Sequence, residues 1–105
     1  MTVIEEIAAE RERQMADEGW SSEHDDKHTH EEMAAAAACY AMPRSARRLD
    51  FTYDGNVLSR LWPWDSKWWK PDNRRRDLVK AGALIVAEIE RLDRAAQQKA
   101  AELAE

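Results

Sequence analysis

The chain has 105 residues, 16 Lys and Arg against 21 Asp and Glu, and a formal charge of −5, so it has room for one domain and one modest core, and its acidic balance excludes a protein built to grip duplex nucleic acid. A single cysteine, Cys39, excludes an internal disulfide and fits a reducing compartment. The opening is acidic and amphipathic rather than a basic, apolar leader, and the longest apolar run, near Met33–Met42, is too short to span a bilayer. The expectation is a soluble, cytoplasmic protein with no membrane partner.

Charge is distributed unevenly. Residues 1–32 carry eleven acids and three bases, whereas residues 43–80 carry ten bases and five acids. Segments of opposite sign usually face each other within a fold or across an assembly.

Thr2 with Glu5 reads as a capping box. Ile4, Ile7, Ala8, Arg11 and Met15 follow at helical spacing and predict a first helix from Val3 to Glu18, with Gly19 just beyond its end. Trp20 to Lys27 is a polar connector. The pattern Thr29-His30-Glu31-Glu32 resembles a second capping box and predicts a helix from His30 to Met42, centred on Met33, five alanines, Cys39 and Tyr40. Pro43 ends it. Over residues 44–60, Arg44, Arg47 and Arg48 fit one short helical face. Asp54-Gly55-Asn56 reads as a turn, joining either a hairpin of 49–53 with 57–61 or a loop.

Four of five tryptophans, Trp62, Trp64, Trp68 and Trp69, then fall within eight residues. Asp72 or Asn73 caps a last helix from Arg74 to Leu103. Its stripe of Leu78, Ala81, Ile85, Ile89, Leu92 and Ala96, widened by Val79, Leu84 and Val86, predicts the core face. The sum is an all-α domain over residues 1–105: a small three- or four-helix bundle, with an irregular Trp-rich connector before a long C-terminal helix. Residues 95–105 have little to bury, so they fray or meet a partner chain, and a helical chain this short gains from homo-oligomerisation.

Three sets of residues carry candidate chemistry. Indoles beside Lys70 and Arg74 can stack a planar base while cations hold its phosphates. With Trp20 and His28 from the connector, the candidate ligand-binding residues are Trp20, His28, Trp64, Trp68, Lys70 and Arg74. The competing structural reading is that the indoles close the open end of the bundle. His24, Asp25, Asp26, His28 and His30 are dense in potential metal ligands, but their spacing matches no strong metal signature. Helical carboxylates form the third set: Glu10, Glu32 and Glu88 would hold Mg2+ if they converged. Glu88 is alternatively a structural ion pair with an arginine such as Arg11. No catalytic residue follows from the sequence, and no cofactor other than that conditional Mg2+ is implied.

Glu10-Arg11-x-Arg13-Gln14, Glu18-Gly19-Trp20, His24-Asp25-Asp26-x-His28, Trp62-Pro63-Trp64 and the run Arg76 to Arg94 together resemble a family of small phage and prophage proteins. The resemblance covers most of residues 4–94 and implies a phage or prophage accessory protein in a bacterial host cytosol. Glu10–Gln14 and Ala87–Arg94 also resemble MazG-like all-helical nucleotide pyrophosphohydrolases, which bind magnesium through helical acids. The paired acidic motif of that family is not cleanly present, since Glu90-x-x-Asp93 lacks its alanine-rich flank and its mate. Gly19-Trp20 with Asp25-Asp26-Lys27-x-Thr29-His30 is similar to the small ligand-binding repeat domain of ryanodine receptors, which implies binding of a nucleotide-like ligand without turnover. The leading expectation is a nucleotide or nucleotide-derived anion held in an aromatic and basic cleft. The alternatives are a divergent Mg-dependent pyrophosphohydrolase and a structural or protein-binding helical oligomer.

Overall fold

The computed structural model describes residues 1–46 and 57–104. Its elements are α1 (Val3–Asp17), α2 (Ser22–Asp25), α3 (Glu32–Ala41), α4 (Val57–Leu61) and α5 (Arg74–Ala104), with 3-10 turns at Arg44–Ala46 and Ser66–Trp68. No strand occurs among the described residues, and the fold is all-α with a long last helix. No helix among them is long and apolar enough to cross a membrane. The hairpin reading fails for its second half, because Val57–Leu61 is helical. Its first half, Arg47, Arg48 and the Asp54-Gly55-Asn56 turn lie outside the described residues.

Local chemistry sets the helix boundaries. Thr2 Oγ1 accepts from the Glu5 N–H at 3.1 Å while Glu5 Oε1 accepts from the Thr2 N–H at 3.0 Å, so two orphan donors are satisfied reciprocally. Gly19 takes a φ of +73°, a left-handed conformation natural to glycine, and the Trp20 N–H then reaches the Gln14 carbonyl at 3.1 Å. The capping box expected at Thr29 does not form. His28 N–H donates to the Asp25 carbonyl at 3.0 Å, closing the turn after α2. Glu31 enters the left-handed region at φ 64°, and the Glu32 carboxylate folds back onto the His30 N–H at 2.6 Å. Helix α3 therefore starts two residues later than its sequence suggests. At α5, Asn73 Oδ1 accepts from the Arg76 N–H at 2.8 Å and serves as the cap.

Helices α3 and α5 form the centre. Arg74, at the start of α5, donates to the carbonyls of Ala41 and Met42 at the end of α3, and Arg91 feels the charge of Glu32 at the other end, so the two helices are antiparallel. Their buried surfaces are mostly small: Ala36, Ala37 and Cys39 on α3, Ala81 and Ala87 on α5, joined by Met33, Tyr40, Leu58, Trp62 and Leu84. Small side chains let two helices approach closely, and Leu84 and Met33 fill what remains. Helix α1 runs the same way as α5. Glu6 pairs with Arg75 at 2.6 Å, Ile7 lies on Gly82, and Arg11 reaches Glu90 at 3.1 Å. A Cβ built on Gly82 would stand 3.1 Å from Ile7 Cδ1, so the glycine is a crossing point.

Two apolar stripes read from the sequence do not face the core. On α1 the buried residues are Glu10, Arg11 and Gln14, while Ile4 and Met15 are exposed. On α5, Ala81, Leu84 and Val79 are buried as expected, but Leu78, Ile85, Ile89 and Leu92 lie on the outer surface, and Ala96 with the tail that follows it is also exposed. The inner face of α5 carries Asp77, Glu88 and Arg91 instead. Close alanine packing favours the small face of each helix, and buried charge is tolerated because it is paired. Glu88 pairs with Arg91 at 2.6 Å rather than with Arg11.

Tyr40 gives the core a pH limit. Burial pushes its phenol up to about 12, against a backbone hydrogen bond from Lys70 that lowers it. A raised folded-state pKa contributes stability that is present below about 10 and is lost as the pH rises through 12. Urea melts should therefore show about 2–3 kcal/mol of stability lost between pH 10 and 12, and Tyr40→Phe should flatten that loss. An equal loss in the phenylalanine variant would assign it elsewhere.

Candidate functional site

The loop from Trp20 to His28 and the Trp-rich connector meet on one side of the α1/α5 pair. Arg11 organises the first of these. Its guanidinium bonds Asp25 Oδ2 at 2.6 Å, the Trp20 carbonyl at 3.4 Å and Glu90 Oε1 at 3.1 Å. Both Arg11 and Asp25 are buried, so α1, α2 and α5 are joined at one guanidinium. Asp65 organises the second. Its side chain accepts from the Lys67 N–H at 2.9 Å and its carbonyl accepts from Trp62 Nε1 at 3.1 Å.

The five indoles divide by role. Trp62 is buried, edge-on to Tyr40, Trp64 and Trp69 at centroid separations of 5.0 to 5.8 Å. Trp69 lies over Tyr40 at 4.6 Å. These two plug the core. Trp20, Trp64 and Trp68 instead line a cavity of about 310 Å³ with His24 and His28. Glu18 and Asp65 complete its wall and are its only carboxylates among the described residues. Within it the Trp20 and Trp64 rings stand 5.8 Å apart, and His28 lies 5.3 Å from Trp64 and 4.8 Å from His24. His28 Nδ1 is 3.4 Å from Glu32, whereas its Nε2 is buried with no hydrogen-bond partner among the described residues.

A second cavity, of about 330 Å³, shares Glu18, Trp20 and Trp68 with the first. Its wall is charged, with Arg13, Lys70, Arg76 and Lys80 against Glu10, Glu18 and Asp72. Glu10 is fully spoken for, since Arg13 binds it at 2.8 Å and Arg76 and Gln14 also donate to it. Burial pushes this carboxyl up, but the hydrogen bond and charge of Arg13, with the charge of Arg76, outweigh burial and hold it below the ordinary carboxylate range. Lys70 Nζ sits 5.4 Å from the Trp68 ring, and Lys80 Nζ donates to the Lys70 carbonyl at 2.7 Å. Gln14 lines this cavity with its Oε1 buried and without a partner among the described residues.

Of the six expected ligand-binding residues, Trp20, His28, Trp64 and Trp68 surround one cavity, and Lys70 lines the adjoining one. Arg74 lines neither. Its guanidinium is committed to the Ala41 and Met42 carbonyls at 2.7 and 2.8 Å, where it satisfies the open C-terminal end of α3. The conditional magnesium set does not come together either. Glu10 is held by Arg13 and Arg76, Glu32 by His28 and the His30 N–H, and Glu88 by Arg91. No group of three or more potential metal-ligating side chains clusters among the described residues. That includes the three histidines, of which only His24 and His28 are neighbours in the cavity.

Glu18, Gln14 and Arg13 enter the sequence reading only through the resemblance motifs and not as site residues. The signal was present: Glu10, Gln14 and Glu18 repeat every four residues on one face of α1, a polar stripe where an apolar core face was read. No protein-family model, no curated protein and no solved structure matches the chain.

Proposed function

We propose that the chain binds a nucleotide, or a nucleotide-derived small anion, along these two joined cavities. The observation that carries the reading is the convergence of Trp20, Trp64, Trp68 and His28 on one cavity, beside a second that holds Lys70 and Lys80. An indole-lined slot suits the flat apolar face of a base. The carboxylates of Glu18 and Asp65 at its edge accept hydrogen bonds, so they favour bases that carry an amino group. Among the described residues of the second cavity, four cations against three carboxylates leave one net positive charge. That balance matches a monophosphate or cyclic phosphate better than a triphosphate. Gln14 Oε1 offers an unused acceptor to a sugar hydroxyl. The placement of the chain among phage and prophage accessory proteins rests on the sequence resemblance.

Titration calorimetry with intrinsic tryptophan fluorescence tests the reading. AMP, GMP and CMP should bind and quench the emission, with UMP weaker because uracil has no exocyclic amine. A flat response to mono-, di- and cyclic nucleotides and to ADP-ribose would sink it.

A further inference from the structure

Among the described residues, the outer face of α5 has no partner. Leu78, Ile85, Ile89 and Leu92 are 45, 49, 53 and 52% exposed. All four lie on one side of the helix, opposite the Leu84 and Ala87 face. Ala96 and Leu103 continue the same stripe into the tail, where every described residue is exposed except the partly covered Arg94 at its root. The helix has 31 residues, about 46 Å at 1.5 Å per residue, and much of that length is apolar surface facing water.

The spacing identifies what would cover it. Leu78, Ile85 and Leu92 recur every seven residues, and so do Ile89, Ala96 and Leu103, offset by four. This is a heptad seam, whose natural complement is another helix with the same repeat. The seam is also its own complement when reversed. In an antiparallel pair centred between Ile85 and Ile89, these two β-branched residues face each other across the axis. Leu78 then meets the small Ala96, and Leu92 meets the Gly82–Ile7 crossing. Leu78 falls opposite the small Ala96 at each end of the pair, the reciprocal match of a self-complementary two-fold interface. An anionic lipid surface fits less well, because the exposed Glu90 and Asp93 flank the stripe.

We propose that α5 pairs with α5 of a second copy of this chain in an antiparallel two-fold dimer through Leu78, Ile85, Ile89, Leu92 and Ala96. The aromatic cavity does not take part, so this pairing stands or falls independently of nucleotide binding.

Light scattering coupled to size exclusion, over a wide concentration range, should give a mass twice the 12.1 kDa chain. Leu92→Glu and Ile85→Glu should each give the monomer mass with the helical circular dichroism of the parent, because both side chains lie outside the chain's own core. A parent that is monomeric throughout would overturn the proposal and leave the face to a different partner. So would a dimer that survives both glutamates. Direction is read by cross-linking with oxidised glutathione. Ile85→Cys and Ile89→Cys should each stay unlinked alone and form a disulfide when mixed, since Cys39 is buried and does not compete. Self-linking of Ile89→Cys alone would mean a parallel pair and would overturn the antiparallel arrangement.

Discussion

Asp25→Ala should destabilise the chain by about 3–5 kcal/mol, the range for breaking a buried ion pair by removing one partner. For a domain of this size that is a fall in Tm on the order of 15 °C. Asp25 and Arg11 are both buried, and their 2.6 Å contact is the shortest of the three bonds that Arg11 makes. Without Asp25, the guanidinium keeps the half-exposed Glu90 and a long bond to the Trp20 carbonyl. The loss also reaches the cavity, because Trp20, His24 and His28 hang from the segment that this contact holds down. Replacing both partners with leucine should cost less than either single truncation, since no buried charge is then left alone. Thermal and urea melts of the two singles and the double measure this. A double variant as unstable as the two singles added together would mean that the pair is not the coupling element.

Trp68→Ala should weaken nucleotide binding by about 10- to 100-fold, the loss expected for one stacked base, while leaving the melting temperature close to that of the parent. Trp68 is 40% exposed. It belongs to the cavity and stands outside the buried core cluster. Trp64→Ala should weaken binding too, but with a stability cost, because its ring also meets Trp62 edge-on at 5.5 Å. Trp69→Ala supplies the opposite control: it lies against Tyr40 and lines neither cavity, so it should lower stability and spare the site. Calorimetry and melts on the three variants separate the roles. Unchanged affinity in Trp68→Ala would remove stacking from the reading.

What was legible in the sequence was local or chemical. Thr2 with Glu5, Gly19 and Asn73 mark helix ends because a cap is made within a few residues. Trp20, His28, Trp64 and Trp68 drew notice by residue type, and the fold gathers them around one cavity. Orientation was not legible. Leu78, Ile85, Ile89 and Leu92 announce an amphipathic helix, but periodicity does not say whether the partner of that face lies in the same chain. The buried side was chosen by alanines, Ala36 and Ala37 against Ala81 and Ala87, whose signal is weak because alanine scores as helix former before it scores as core. Arg74 neighbours the indoles in sequence, which points it at a ligand. It went to the open carbonyls at the end of α3, thirty-odd residues away, and such an end is visible only once the two helices are seen side by side. Glu10 looked like a metal ligand for a similar reason, since its arginines come from both its own helix and α5.

The contacts of α1 with α5 have a kinetic consequence. Glu6 with Arg75, Glu10 with Arg76 and Arg11 with Glu90 are 69, 66 and 79 residues apart, whereas Arg74 reaches Ala41 across 33. Helical proteins fold fast when their contacts are near in sequence, and closing a longer loop costs more entropy before any contact rewards it. Loop closure alone therefore favours the α3/α5 pair over the α1/α5 contacts. Glu10, Gln14, Glu18 and Trp20 ride on α1 or just past its end, so both cavities depend on that longer closure.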